Sequence, residues 1–226
     1  VILGIDTSLG TAVGVVDDDG VVFAEHSRAN PLGHAEAIGD LLRQALVDAA
    51  LGPVGTTAAP QPVALTHVAA GMGPGPFTGL RVGIAAARAF ALGRGLPVVS
   101  VPSHDAAALQ ILLAAALTDP FAEPARFAVV TDARRREVAY SVYEGTDADG
   151  LPIRTAGPAL APRVEIDAVL GELRAERRDV TEISAAMVAV VAARAIAAGR
   201  ELTGPEPLYL RAPDVTLPAP RKRVGS

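Results

Sequence analysis

Ile2-Leu3-Gly4-Ile5-Asp6, followed across a short turn by Thr11-Ala12-Val13-Gly14-Val15-Val16, is the stretch on which the reading of the fold depends. An apolar run ending on an aspartate reads as a buried strand, and the second run reads as its hairpin partner. The pair returns 126 residues later without a gap, as Ala128-Val129-Val130-Thr131-Asp132 followed by Glu137-Val138-Ala139-Tyr140-Ser141-Val142. Each copy is a strand, an aspartate-bearing turn and a strand, the pattern expected where two lobes begin alike. Two unrelated hairpins are the competing account of this echo.

Working outward, Val21 to Glu25 supplies a third strand beyond the turn Asp17-Asp18-Asp19-Gly20. Ala35, Ile38, Leu41, Leu42, Ala45, Leu46 and Ala49 recur at the helical period, which predicts a helix from His34 to Leu51 that stops at Gly52-Pro53. A linker over 53–62 leads to a strand at 66–70 and then to a loop of alternating glycine and proline, Gly71-Met72-Gly73-Pro74-Gly75-Pro76. A helix follows from Gly79 to Leu92, with Thr78 as its cap. Next come a strand at 98–101 and a helix from Ser103, its cap, to Leu117.

The order βββαβαβα is the ribonuclease-H-like arrangement also found in actin, sugar kinases and the Hsp70 ATPase domain, an analogy of pattern alone. The second lobe reads as thinner: a third strand near 151–156, a helix near 166–178, and a helix near 182–198 carrying Ile183, Met187, Val190, Val191 and Ala195. The expected division is an N-terminal lobe over 1–102 and a C-terminal lobe over 103–226, with the second reduced.

Composition narrows the function classes. With no cysteine among 226 residues, neither a disulfide framework nor a thiolate metal site is open to the chain, and a cytoplasmic location is expected. The alanine-rich stretches 106–117 and 183–198 are too short or too interrupted by charge to span a membrane. A net charge of -5 argues against nucleic-acid binding by the chain as a whole. Two basic groups, Arg134-Arg135-Arg136 and Arg221-Lys222-Arg223, read first as solvated charge and second as help for a partner that carries RNA.

The first turn, Asp6-Thr7-Ser8-Leu9-Gly10-Thr11, is compatible with a phosphate-gripping hairpin in which Asp6 holds a hydrated magnesium ion and the hydroxyls of Thr7, Ser8 and Thr11 face phosphate. An ordinary polar turn explains it equally well. The second turn, Asp132-Ala133-Arg134-Arg135-Arg136-Glu137, has no glycine, and its long side chains obstruct the close approach such a hairpin needs. A complete ATP clamp is therefore not expected. Thr78-Gly79-Leu80 lacks the lysine of a Walker loop, and Pro76 stands where a dinucleotide loop starting at Gly71 needs glycine. His26, His34, His67 and His104 form no ligand pair at helical spacing, and no nucleophile elbow occurs. On the helix after the loop, Gly79, Gly83, Ala86, Ala87 and Phe90 form a flat side: core if the chain fills it, a docking face if it is bare.

Four segments resemble the TsaB (YeaZ) family: Ile5-Asp6-Thr7-Ser8, Gly73-Pro74-Gly75-Pro76-Phe77-Thr78-Gly79-Leu80-Arg81, Thr131-Asp132-Ala133-Arg134-Arg135-Arg136-Glu137-Val138, and Glu206-Pro207-Leu208-Tyr209-Leu210-Arg211. They occur in the family's order and span almost the whole chain. The resemblance implies a two-lobed member of the actin-like ATPase superfamily that serves synthesis of N6-threonylcarbamoyladenosine in tRNA. It further implies a non-catalytic partner of TsaD, with TsaE associated, tRNA reached through the complex, and a homodimer as an alternative state of the isolated chain. No cofactor is expected to bind tightly, with ATP or ADP only at the interface of the complex.

The family's helical surface maps onto about 33–51 and 79–93, giving His34, Ile38, Leu41, Leu42, Pro76, Phe77, Gly79, Gly83, Ala86, Ala87 and Phe90 as expected interface residues. Asp6, Thr7, Ser8, Gly10 and Thr11 are the expected vestige of a nucleotide turn. Against a typical member, the stretch from about 170 to 184 is short and the chain starts at Val1 rather than Met, so missing residues are expected there. The competing enzyme class is an ATP-dependent sugar or acetate kinase, against which the glycine-free second turn speaks. A glycoprotease lacks both metal ligands and nucleophile.

Overall fold

The computed structural model describes residues 1–29, 33–52, 62–121 and 124–211. The first half runs β1 (Ile2–Asp6), β2 (Thr11–Val16), β3 (Val22–Arg28), α1 (His34–Ala49), β4 (His67–Gly71), α2 (Phe77–Arg94), β5 (Val98–Val101) and α3 (Ser103–Thr118). Its five strands lie in the order β3-β2-β1-β4-β5, with β1 antiparallel to β2 and parallel to β4. The second half runs β6 (Phe127–Asp132), β7 (Glu137–Thr146), β8 (Pro152–Pro162), α4 (Ile166–Glu172), β9 (Glu176–Asp179) and α5 (Ala185–Ala197), with strand order β8-β7-β6-β9. That is the first order without its fifth strand. The fold is α/β, two ribonuclease-H-like sheets of the actin-like ATPase type, the second reduced by one edge strand.

The internal echo survives at the level of register. Ile2 lies opposite Val16 and Asp6 opposite Ala12 in the first hairpin; Ala128 lies opposite Val142 and Asp132 opposite Val138 in the second. Adding 126 to each number of the first pair set gives the second, so both lobes begin with the same pairing.

Alternation along the strands sorts the core. Leu3 and Ile5 of β1 pack toward α1 and α2, with Ile38, Leu41, Leu80 and Ile84. Ile2 faces the other way, into a cluster shared by α3, α5 and both sheets that includes Leu109, Phe127, Val129 and Tyr143. A third cluster, built on Val130, Val142, Ile166 and Leu170, lies under α4. Although α5 comes late in the chain, it covers the first sheet at very short range: a Cβ on Gly4 would stand 2.0 Å from the Ala185 carbonyl oxygen, and one on Gly14 would stand 2.5 Å from the Ala186 nitrogen. Glycine in the sheet and alanine on the helix are what let the two backbones approach so closely. Glu25 on β3 fixes the start of α5, accepting from the Ser184 hydroxyl at 2.8 Å and the Ala186 N–H at 3.0 Å.

Four expectations need correction. The segment 166–178 is not one helix: α4 ends at Glu172, where Arg174 takes φ 51° and the Ala175 N–H bonds back to the Leu170 carbonyl, and the chain then pairs with β6 as β9. The third strand of the second lobe is longer than 151–156, running to Pro162 through a register shift opposite Tyr140 and Val142. Thr78 does not cap α2, because Pro76 holds that position with extended backbone and the helix is already turning at Phe77. Ser103 does not cap α3 either; Pro102 does, and the serine hydroxyl is used elsewhere. The linker, apart from residue 62, and the basic group Arg221-Lys222-Arg223 lie outside the described residues.

Candidate functional site

The first turn is turned inward. Asp6, Thr7, Ser8 and Thr11 are each about 2% exposed or less. One Asp6 oxygen accepts from the Ser8 N–H at 2.7 Å and the Ser8 hydroxyl at 2.5 Å; the other accepts from the Ser103 hydroxyl at 2.5 Å. Burial pushes the Asp6 carboxyl up from the usual carboxylate range, while the bonds from Ser103 and Ser8 pull it back. Thr7 donates to the Gly79 carbonyl at 2.8 Å, and Thr11 pairs with His34 Nδ1 at 2.8 Å. Every hydroxyl expected to face phosphate is thus spent on the protein itself. Gly10, with φ 121°, leaves no room for a side chain against the Arg28 carbonyl.

The Gly/Pro loop is pressed onto this turn. A Cβ on Gly71 would stand 1.9 Å from the Asp6 oxygen that Ser103 bonds, one on Gly75 would stand 2.8 Å from Ser8, and one on Gly83 would stand 2.1 Å from the Thr7 hydroxyl. These glycines admit protein atoms where an anion cradle would need open space.

The flat side of α2 is accordingly filled from within. Gly79, Gly83 and Ala87 are buried against the first turn and sheet, as are His34, Ile38 and Leu41 on α1. For these six residues, expectation as a bare interface is corrected: their smallness and apolarity serve the core. Leu42, Pro76, Phe77, Ala86 and Phe90 keep part of their surface accessible, and beside them Val47, Leu51 and Leu92 are exposed, Leu92 by 85%.

Between the lobes opens a cleft of about 650 Å³. The Gly/Pro loop and the first turn of α2 form one wall, and the second hairpin turn, with Thr131 to Arg135, forms the other. Arg134, Arg135 and Arg136 all take left-handed backbone, φ 61°, 53° and 64°, which side-chain-bearing residues seldom do. Ring-stacked side chains line the first wall: the Arg81 guanidinium stands 3.8 Å over Phe77, whose ring lies 4.7 Å from that of Tyr209. Arg81 also donates to the Tyr209 hydroxyl at 3.1 Å.

Tyr209 belongs to a terminal strap whose role sequence reasoning missed; its only signal was the resemblance of 206–211. Leu208 donates to the Met72 carbonyl at 2.8 Å, Arg88 bonds the Pro205 carbonyl, and Arg211 pairs with Glu137 on the opposite lobe.

A second unforeseen group sits in the first turn of α3. His104, fully buried, meets the Ser141 hydroxyl at 2.9 Å through Nδ1 and the Thr131 hydroxyl at 3.0 Å through Nε2. Burial first, and the Arg154 charge second, hold its pKa down to about 3. Its neighbour Asp105 accepts from the Tyr143 hydroxyl at 2.7 Å and faces Arg154 at 3.6 Å; burial raises the carboxyl. Neither residue breaks the hydrophobic pattern strongly enough to stand out in sequence. Among the described residues no group of three or more His, Cys, Asp or Glu is placed to hold a metal ion, and no helix is long and apolar enough to cross a membrane.

Comparison with known proteins gives this geometry relatives. The family model described as TsaD, tRNA N6-adenosine threonylcarbamoyltransferase, matches residues 20–151. An uncharacterised protein of Mycobacterium tuberculosis is 38% identical over 168 residues, covering 74% of this chain and 67% of that protein. The tRNA threonylcarbamoyladenosine biosynthesis protein TsaB of Escherichia coli is 34% identical over 100 residues, 44% of this chain and 39% of that protein. Among solved structures, YeaZ from Pseudomonas aeruginosa superposes with a TM-score of 0.66 at 24% identity, over 92% of this chain and 99% of that one, a likeness of fold.

Proposed function

We propose, from the premise that this chain belongs to the family described by that model and within it to the TsaB (YeaZ) proteins, that it is a non-catalytic scaffold subunit in the synthesis of tRNA N6-threonylcarbamoyladenosine. Its partner in this reading is TsaD, with TsaE associated. The observation that carries the reading is the state of Asp6: both carboxylate oxygens are consumed by Ser8 and Ser103, and the glycines around it are filled by protein. A turn in that state holds a fold together and has nothing to offer a metal–phosphate complex.

Docking falls to the outer side of the α1–α2 pair, where Leu42, Ala86 and Phe90 are partly open beside exposed Val47, Leu51 and Leu92. Apolar side chains at such a rim stabilise association by leaving water. The test is reconstitution of the modification from TsaD and TsaE with unmodified tRNA, with and without this chain, counting modified adenosine by mass spectrometry of digested tRNA. The proposal expects modification to depend on the chain; full modification without it refutes the reading.

A further inference from the structure

The interlobe cleft differs in charge from the rest of the molecule. Its lining holds three arginines, Arg134, Arg135 and Arg211, against one carboxylate, Asp132, and that carboxylate is paired with a further arginine, Arg163. Arg211 in turn pairs with Glu137. Four arginines against two carboxylates at one opening leave a local excess of positive charge on a chain whose net charge is -5. The arginines of the hairpin wall are held there by left-handed backbone, a conformation that residues with a Cβ adopt only at an energetic cost. Facing them is the stacked series Arg81, Phe77 and Tyr209.

Cationic side chains on one wall and aromatic rings on the other are the two ingredients by which proteins hold unpaired nucleotides: guanidinium groups meet phosphate, and rings meet the base. A volume of about 650 Å³ lies within the range of pockets that take one such unit. The first turn takes no part, since Asp6 to Thr11 do not line the cleft. We infer that the cleft receives one unstacked nucleotide of a single-stranded RNA segment, its phosphate on Arg134 and Arg135 and its base against Phe77 and Tyr209. The inference rests on the reading of the protein as part of an RNA-modifying assembly, and names the surface by which this chain touches that RNA.

The test uses the full chain and a fluorescein-labelled, unstructured seven-nucleotide RNA, followed by fluorescence anisotropy over a salt series. Arg134→Glu/Arg135→Glu is expected to weaken binding at least tenfold and to flatten the salt dependence by about 0.7 in log–log slope for each phosphate that no longer meets a guanidinium. Tyr209→Leu is expected to weaken binding about tenfold, the effect that follows removal of one base–aromatic stack. The charge-matched control Arg43→Glu/Arg94→Glu, on exposed helical positions outside the cleft, is expected to leave affinity within about twofold. Circular dichroism melts verify that each variant is folded.

Equal weakening by the control pair and the cleft pair overturns the site, as does undiminished RNA binding by Arg134→Glu/Arg135→Glu. Displacement of the RNA by adenosine monophosphate supports placement of a single nucleotide unit, whereas binding of the mononucleotide with none of the RNA overturns the RNA as its source. Modification that still depends on the chain, together with RNA binding insensitive to the cleft, sinks this inference and leaves the scaffold reading standing.

Discussion

Acid should loosen this protein through His104 by an amount that can be worked out. In the fold its pKa is held to about 3, against 6.5 in the unfolded chain, because burial disfavours the imidazolium and Arg154 repels it. The unfolded chain therefore binds a proton that the folded one refuses. Stability from this residue is complete above pH 6.5 and is lost as pH falls toward 3. Linkage over that window puts the loss between about pH 7 and pH 5 at about 2 kcal/mol. Asp6 and Asp105 carry the opposite sign, since their raised values favour the fold at low pH and that contribution fades as pH rises. A single pH curve mixes all three, and a difference separates them. His104→Gln keeps a polar side chain between Thr131 and Ser141 but cannot titrate. Urea unfolding followed by circular dichroism at about pH 7, 6 and 5 should show wild type losing about 2 kcal/mol more than the variant across that range, at equal m-values. Parallel stability curves for the two proteins would refute the assignment of a proton-refusing histidine.

Other substitutions test the packing and the docking face. Gly83→Ala should destabilise by about 1–3 kcal/mol in thermal or urea unfolding, because a methyl 2.1 Å from the Thr7 hydroxyl outweighs the roughly 1 kcal/mol that alanine adds to a helix; a neutral or stabilised variant would show the packing there to be loose. Glu25→Ala removes the acceptor at the start of α5 and should cost about 1–2 kcal/mol, seen as a melting point a few degrees lower; an unchanged melt would mean that Ser184 suffices as cap. Phe90→Glu with Leu92→Glu should leave the melt within a degree or two yet abolish co-purification with TsaD, and retained binding would remove this face from the proposed interface.

The parts of the fold legible in the sequence are those with strong periodicity. The hairpin Ile2 to Val16, its echo at 128–142 and the apolar stripe of α1 all declared themselves through apolar spacing. By contrast, β9 is Glu176-Arg177-Arg178-Asp179, charged at every position, and only its pairing with buried β6 makes it a strand. No alternation marks an edge strand of that composition. The caps failed for a related reason: Thr78 and Ser103 are good capping residues by type, but Pro76 and Pro102 precede them with extended backbone, and proline already sets the helix entry. Polar residues expected at a surface, Asp6 and Thr7, proved buried because their partners, Ser103 and Gly79, lie 97 and 72 positions away, where no local pattern can point to them.

Three consecutive side chains at the start of α3 decide how far the two lobes can move. Ser103 bonds Asp6 in the first lobe, His104 bonds Thr131 and Ser141 in the second, and Asp105 bonds Tyr143 beside Arg154. All lie where water is excluded, so opening or closing the cleft by a hinge at this point would leave buried polar groups unpaired at about 1–3 kcal/mol each. Two-lobed relatives that clamp a ligand need such a hinge to be cheap. Here it is expensive, and the strap from Leu208 to Arg211 spans the same gap from the other side. A molecule so braced presents a cleft and a helical face of constant shape, which lowers the ordering cost of association for whatever binds them. The bracing that excludes a nucleotide-driven clamp is therefore what suits the chain to work as a scaffold.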